Sequence, residues 1–534
     1  MFSQTSQTSW TSVLTRTLYC LSNPFFTPSV SATTSQATSL LKPGPPPIVT
    51  LPKDILTTLP PLLSPQTQIL LPSSPSFRLY SSRFAGTQGA PNLLAIILPV
   101  TERDISTVIK YSNNNSIPFL ASSGQHGSWH PLSQFSGIAI SLRNLSPKIT
   151  LSQDGKQATI GGGTSIAETV HYLWSQNKRQ TTTGICECVG VVSPGLGGGH
   201  GLLQGQYGLS GDQWVSARVV LGSGRVITVN EEENKDLWWG LRGAGHNFGV
   251  VSEVKVKVYE PSPSKTGWSW AQFVFEAGKL EGLYKWVNGF VEGVSQVEEL
   301  THWSVWGWDK DVDSEKPVIN FLFFYNGPAD ELKKYSNEVQ KLGPAAYREG
   351  VVADYPDMAK VIGVTLEDGF CQKGSLNAML RAADVISYEI PALRKAYELF
   401  STGMRSEPAF AGSVVMLEGY SVQAVQAVPA ESTAYAHRAQ RIVQAPNIGW
   451  PIGNKTLDEE AQRWGKQIWK ALSGTAQKRS YANYAWGDEG PQALYGYEPW
   501  RLQKLKTLKK KYDPQGRFGY FASVDTKSKA FGDI

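Results

Sequence analysis

The chain reads as an α+β protein in two unlike parts, and three observations carry that reading. β-α-β units begin at Pro91, glycines crowd the stretch from Gly161 to Gly249, and from Thr266 the pattern changes to long aromatic strands mixed with helices. At 534 residues and 58.5 kDa, with 41% hydrophobic and 18% charged residues, the chain can bury a large core and exceeds the usual size of one domain. It is too long and too apolar for a disordered adaptor.

Met1 to Thr50 are rich in Ser, Thr and Pro, lack acidic residues and run into Lys42-Pro43-Gly44-Pro45-Pro46-Pro47, so residues 1–60 read as a flexible tail and linker outside the fold. Ser and Thr interrupt every short apolar cluster of that segment, including Leu18 to Leu21, which argues against a secretory signal. The reading favours a soluble, intracellular protein over a secreted one and leaves the compartment open. Sequons at Asn114, Asn144 and Asn454 matter only on a secretory route. The longest apolar run, near Leu93 to Leu98, falls far short of the ~20 residues of a membrane helix, so no membrane span is expected. Fifty Lys and Arg against 45 Asp and Glu give a net charge of +5, too mild for a nucleic-acid partner. Cys20, Cys186, Cys188 and Cys371 are too few to staple a chain of this size, and Cys186 lies too close to Cys188 to bridge it, so no disulfide framework is expected.

The first β-α-β unit has a strand at Leu93 to Leu98, a capping box at Thr101-Glu102-Arg103-Asp104 opening a helix, and a strand at Ile117 to Leu120. The loop Ser122-Ser123-Gly124-Gln125-His126-Gly127 follows, where backbone N–H groups can approach a pyrophosphate; an ordinary turn is the alternative. A second unit runs from Ile149 through an Asp154-Gly155 turn to Ile160 and Gly161-Gly162-Gly163, then a helix with Ile166, Val170, Leu173 and Trp174 on one face. The glycine-dense stretch from Gly184 to Gly201 suits main chain lying against a ligand, since a Cβ would hold the ligand off. None of it fits G-x-G-x-x-G, and no G-x-x-x-x-G-K-[ST] occurs, so Rossmann and P-loop readings lose their signature. Val215 to Leu221 and Arg225 to Val229 flank Gly222-Ser223-Gly224 as a hairpin. Val254, Val256 and Val258 alternate with charged residues in a half-buried strand. Beyond Thr266, Phe273/Phe275, Trp306/Trp308 and Ile319 to Tyr325 mark the strands of the second part. The 51 Gly, 17 Trp and 21 Tyr suit an enzyme that binds a planar cofactor or an aromatic substrate, although aromatic residues also fill cores.

In the loop from Ser122 to Gly127, the stretch from Gly184 to Gly201, Tyr207-Gly208-Leu209 with Asp212, the run from Asp236 to Gly245 into Asn247-Phe248-Gly249-Val250-Val251, and Tyr481-Ala482-Asn483-Tyr484, the chain resembles the berberine bridge enzyme-like branch of the vanillyl-alcohol oxidase, or PCMH-type, FAD-linked oxidoreductases, especially its fungal secondary-metabolite members. The blocks occur in the family's order from Pro91 to Val524. The resemblance implies a two-part PCMH-type FAD-binding domain, residues 90–262 completed by a berberine bridge-like segment at 480–525, around an α+β substrate domain at 263–479 whose antiparallel sheet would roof the flavin.

It further implies that Ser122, Ser123, Gly124, Gln125, Gly127, Gly190, Gly197, Gly198, Gly199, His200, Gly201, Gly249, Val250, Val251 and Asn483 surround FAD. His126 falls on the histidine joined to the flavin 8α-methyl, a bond that withdraws electron density and favours substrate oxidation. Cys186 falls on the cysteine that some relatives join to flavin C6, with Cys188 a bystander; one link and two links both fit, and so do two small buried thiols. His126 and His130 are four apart, but Pro131 and the lack of an intervening Glu argue against a zinc helix, and no metal is expected. Tyr484 matches the family tyrosine proposed as base, with Asn483 and Tyr481 beside it; a phenol of pKa ~10 needs donors or positive charge nearby to serve near neutrality. Packing at a domain interface is the alternative for both tyrosines. Glu418 and Asp488 are further acid–base candidates, and His437 is a candidate on the substrate side.

The resulting expectation is an FAD-dependent oxidoreductase that uses O2 and oxidises a small-molecule alcohol, amine or polyketide-type intermediate, with hydride passing to flavin N5. The alternatives are a carbohydrate oxidase of the same fold and a flavin-bearing scaffold promoting cyclisation. A serine hydrolase lacks its G-x-S-x-G.

Overall fold

The computed structural model describes residues 49–293 and 296–525. Most of the expected 1–60 tail lies outside the described residues, but its end is packed: Ile55 and Leu59 are buried in one apolar cluster with Ile97, Val108 and Ile138. Asp104 accepts a hydrogen bond from the Ser64 amide at 2.8 Å, tying this segment to the first long helix. Isolated apolar residues among Pro and Thr carry no period, so only the tertiary partner shows that they are core. Leu59→Ala is expected to cost ~2–5 kcal/mol in urea unfolding; a loss below ~0.5 kcal/mol, the range of neutral surface changes, would return the segment to the linker.

Three sheets organise the chain. Strands β1 (Gln68–Leu70), β2 (Asn92–Leu98), β3 (Phe119–Ser122) and β4 (Ser136–Ser141) form the first in the order β1-β2-β4-β3, parallel except for β1. The expected capping box opens helix Glu102–Asn114: Thr101 Oγ1 accepts from the Asp104 amide and Asp104 accepts from the Thr101 amide. β3 begins two residues later than expected, after Pro118, whose missing N–H cannot join the ladder. That shift makes Ser122 the last residue of the strand.

The second sheet joins β5 (Ile149–Leu151), β6 (Gln157–Gly161), β7 (Trp214–Val220), β8 (Val226–Asn230) and β9 (Val250–Lys257), all antiparallel, in the order β5-β6-β9-β7-β8. Both expected hairpins are present. In β9, Val254 and Val256 are buried while Lys255 and Lys257 are exposed, the period of a half-buried strand.

The third sheet holds β10 (Trp268–Phe275), β11 (Leu300–Gly307), β12 (Val318–Tyr325), β13 (Ala346–Val352), β14 (Leu376–Leu380), β15 (Ala383–Val385), β16 (Val414–Gly419) and β17 (Ile442–Pro451). Its order is β13-β10-β12-β11-β16-β17-β14, with β15 also on β17, and every pairing is antiparallel. Helices Leu280–Glu292, Ile390–Ser406 and Lys455–Leu472 cover one face, burying Phe273, Trp306, Phe321 and Phe323. The intervening residues Trp303, Leu322, Phe324 and Glu418 face the other way, into a cavity.

The C-terminal helix Pro499–Tyr512 returns to the first part: Tyr512 donates to Asp236 at 2.7 Å, and Asn247 bonds both the Ala522 carbonyl and the Val524 amide. Lys509 on this helix turns inward. It is buried and donates to Asp513, to the Asn247 carbonyl and to the Phe518 carbonyl. Against the expectation of no disulfide framework, with Cys188 a bystander, Cys188 and Cys371 are bonded across 183 residues of sequence. No spacing rule reaches across such a separation, since only the docking of the third sheet brings the two together.

Candidate active site

A cavity of about 430 Å³ opens where the three sheets meet, within the range of about 300–1,000 Å³ common for small-molecule sites. Ser122, Ser123, Gly124, Gln125, His126 and Gly127 all line it. The loop has this path because β3 ends at Ser122 and Gln125 turns through a positive φ of 55°. Gly124 presses so closely on the next segment that a Cβ there would lie 2.6 Å from the Gly190 nitrogen.

Cys186, Gly190, His200 and Gly201 line the cavity from the second glycine stretch, and Gly249, Val250 and Val251 from the start of β9. Tyr481, Asn483 and Tyr484 close it from the C-terminal segment. Gly197, Gly198 and Gly199, expected beside the cofactor, do not reach it. Gly198 has φ +107° and packs on the Tyr435 ring, so this run serves close packing behind the wall. His437 is buried elsewhere against the Leu494 carbonyl, and Asp488 pairs with Arg381 and Lys466 away from the cavity.

His126 stacks on Phe84 at 4.3 Å, and its Nε2–H donates to the Phe370 carbonyl at 3.0 Å. A carbonyl only accepts, so the proton sits on Nε2 and Nδ1 carries the lone pair. Burial, followed by the nearby Lys373 ammonium, pushes the imidazole down to about 4 and keeps it neutral. Cys186 Sγ lies 3.8 Å from His126 Nε2. Burial drives that thiol up to about 12, which opposes the thiolate that a second attachment uses. His126, Cys186 and Cys188 offer three ligand atoms within 4.8 Å of one another, but the Cys188 sulfur is committed to its disulfide. His130 stands apart from them, stacked on Trp486.

Glu418 lines the cavity from β16. Tyr420 donates to one of its oxygens at 2.8 Å and Tyr484 to the other at 3.2 Å. Burial raises this carboxyl to about 7, with the two hydroxyls pulling it back. The same contact acts against Tyr484 as a base: burial first, then the Glu418 charge, raise its phenol well above the ordinary value. The donors or positive charge expected to stabilise a phenolate are replaced by a carboxylate. His200 is neutral, lowered to about 4 by burial, and hydrogen-bonds Gln204 through Nδ1 and the Tyr435 hydroxyl through Nε2. His246 donates to Asn483 Oδ1 at 3.3 Å, and Asn483 donates to the Pro194 carbonyl and to the Tyr481 hydroxyl.

Tyr420, Phe84 and Phe370 also shape the site and were not found from sequence. One signal was available: Val414, Met416, Glu418 and Tyr420 line the cavity with period two, which places a carboxylate on an otherwise apolar strand face.

The wall fits a flavin dinucleotide. The hydroxyls of Ser122 and Ser123 are buried without a partner among the described residues. The buried Arg83 guanidinium lines the cavity and donates to the Gly89 and Gly127 carbonyls, a place that favours a pyrophosphate. The broad apolar sheet face opposite can cover a planar ring.

The FAD binding domain family matches residues 93–230. FAD-linked oxidoreductase chyH of Penicillium rubens is 38% identical over 468 residues, 86% of this chain and 92% of that protein. FAD-linked oxidoreductase anuG of Penicillium roqueforti is 36% identical over 480 residues, 89% and 92% of the two chains. Among solved structures, the glucooligosaccharide oxidase of Acremonium strictum, described as carrying a 6-S-cysteinyl, 8α-N1-histidyl FAD, superposes with a TM-score of 0.75 at 21% identity over 89% of this chain and 99% of its own. BBE-like 1 of Physcomitrella patens gives 0.74 at 18% identity over 88% and 100%. These two likenesses speak for the fold. No helix among the described residues is long and apolar enough to cross a membrane. With two relatives above 30% identity matched over nearly their whole length, and with a cavity whose walls suit the dinucleotide, the chain belongs to the FAD-linked oxidoreductases.

Proposed function

We propose that the protein is an O2-using oxidase that carries FAD on Nδ1 of His126 and oxidises an apolar alcohol, amine or polyketide-type intermediate in secondary metabolism. The observation that carries this reading is the meeting of His126 and the Glu418–Tyr484 pair in the lining of one cavity. When bound, the flavin supplies a hydride acceptor at N5. Ser122, Ser123, Arg83 and the main chain around Gly124 and Gly190 would hold its polar half. Cys186 stands as the candidate for a second attachment.

Glu418 takes the proton. A carboxyl near 7 exists partly as carboxylate at neutral pH and is basic enough to accept a proton from a substrate O–H or N–H. Tyr484 and Tyr420 orient the carboxylate through their hydroxyls, so Tyr484 acts as a donor in this reading. Asn483 and Tyr481 connect that wall to Pro194 and His200.

The sheet face supports the proposed substrate class. Leu322, Phe324, Val414 and Met416 give the sheet face an apolar centre, with polar groups at its edge from Glu418, Tyr420, Asn447 and the Trp303 Nε1–H. A sugar bound there would leave several hydroxyls unpaired at ~1–3 kcal/mol each, whereas an apolar ring or chain loses nothing. The names of the curated relatives agree with an oxidoreductase. The test is anaerobic mixing with matched panels of aromatic and alkyl alcohols, amines and oligosaccharides, read at the flavin absorbance. Bleaching by an apolar substrate and recovery on admitting air, with hydrogen peroxide formed, is expected. Bleaching by oligosaccharides alone would replace this reading with a carbohydrate oxidase, and turnover with the flavin held in one redox state would replace it with a cyclisation scaffold.

A further inference from the structure

The segment from Val364 to Lys373 belongs to the third-sheet part of the chain, yet it is stitched to the flavin side at several points. The Glu187 amide donates to the Val364 carbonyl at 3.0 Å, and the Leu366 amide donates to the Glu187 carboxylate at 2.9 Å. Lys373 donates to the Gly124 carbonyl. The covalent stitch is Cys188–Cys371. Next to Cys371, in the short turn Gly369–Cys371, stands Phe370, whose carbonyl receives the His126 Nε2–H and whose ring lies nearly parallel to Phe84, the ring that stacks on the imidazole. Leu366, by contrast, is 54% exposed, so the outer part of this segment has little packing of its own to hold it.

From this arrangement we infer that the Cys188–Cys371 disulfide is a positioning device for cofactor attachment: it seats the Phe370 carbonyl against His126, which keeps the proton on Nε2 and aims the Nδ1 lone pair at the cofactor, and it leaves Cys186 as the free thiol of the pair. The inference rests on the attachment reading above. Attachment exchanges one C–H of the 8α-methyl and the imidazole N–H for one C–N bond, and the two electrons and two protons released reduce dioxygen to hydrogen peroxide. Cys188 and Cys371 touch none of the reacting atoms; they act through Phe370.

Cys188→Ser and Cys371→Ser are compared with wild type and His126→Ala. Absorbance of the folded protein counts total FAD, and intact mass after denaturation counts covalent FAD. In both serine variants the ratio of covalent to total FAD is expected to fall at least five-fold, a ratio that a merely structural loss of binding would not change. A ratio equal to that of wild type overturns the inference. A second measurement needs no variant: wild type produced under partial reduction by a dithiol is tagged at its free thiols, and covalent FAD is counted separately in crosslinked and open chains. Enrichment in the crosslinked chains is expected, and equal fractions overturn the inference even where the variants fail to fold. Peptide mapping that found Cys186, not Cys188, bonded to Cys371 would also overturn it. Wild type without covalent FAD, or covalent FAD whose peptide map shows no bond to His126, would instead refute the attachment reading itself.

Discussion

His126→Ala is expected to remove covalent flavin completely: the denatured wild-type band fluoresces and its intact mass includes FAD, while the variant's band is dark and its mass is that of the polypeptide. The effect is expected to be complete because this reading places the histidyl bond on Nδ1 of His126, the nitrogen left unprotonated when Nε2–H is donated to Phe370, while burial holds the Cys186 thiol protonated. Ser122, Ser123, Arg83 and the close-packed Gly124 remain in the variant, so folded His126→Ala should still be yellow. Turnover should fall as well, since removing the electron-withdrawing substituent lowers the flavin's appetite for hydride. A variant that kept the FAD mass would show that another side chain, with Cys186 first among them, carries the bond. Cys186→Ser in the same gel then separates one link from two.

The second large effect is on chemistry. Glu418→Gln is expected to lower kcat by about 10²–10⁴-fold, the usual contribution of a positioned general base. The wild-type rate should rise with pH through about 7 as the buried carboxyl ionises, and that limb should vanish in the variant. Stability should move the other way. The folded-state value of Glu418 is raised above its ordinary 4.5, so the folded protein holds this proton more tightly than the unfolded chain. The associated stabilisation is present at low pH and is lost as pH rises from about 4.5 to about 7. Glu418→Gln, which never ionises, therefore becomes more stable relative to wild type across that window, as urea midpoints at several pH values would register. A variant both slower and less stable at every pH would mark Glu418 as a packing residue. Unchanged kcat with an intact pH limb would pass the base role to another group.

Tyr484 shows how far motif reading reaches. The Tyr481-Ala482-Asn483-Tyr484 pattern placed that tyrosine at the cavity, and the structure has it there. Its assignment as base depended on what lay beside its hydroxyl, and that neighbour comes from a strand 66 residues earlier in the chain. A carboxylate in that position raises the phenol and turns it into a donor. The glycine stretch behaved similarly: Gly124, Gly190 and Gly201 line the cavity, whereas Gly197, Gly198 and Gly199 face Asn483, Tyr435 and Ser210 behind it. Glycine density shows that something approaches closely, not whether it is a ligand or another part of the chain.

Local features were legible because their causes are local. The capping box at Thr101, the hairpin around Gly222 and the alternation in β9 each depend on residues a few positions apart, and all are present in the fold. The ordered blocks from Ser122 to Tyr484 sufficed in the same way for the family and its cofactor. The burial of Ile55 and Leu59, the Cys188–Cys371 bond, the tautomer of His126 and the raised carboxyl of Glu418 were decided by tertiary structure alone. Each depends on desolvation or on a partner from a distant segment, and the free energy of a charge or a proton is set by what surrounds it in space.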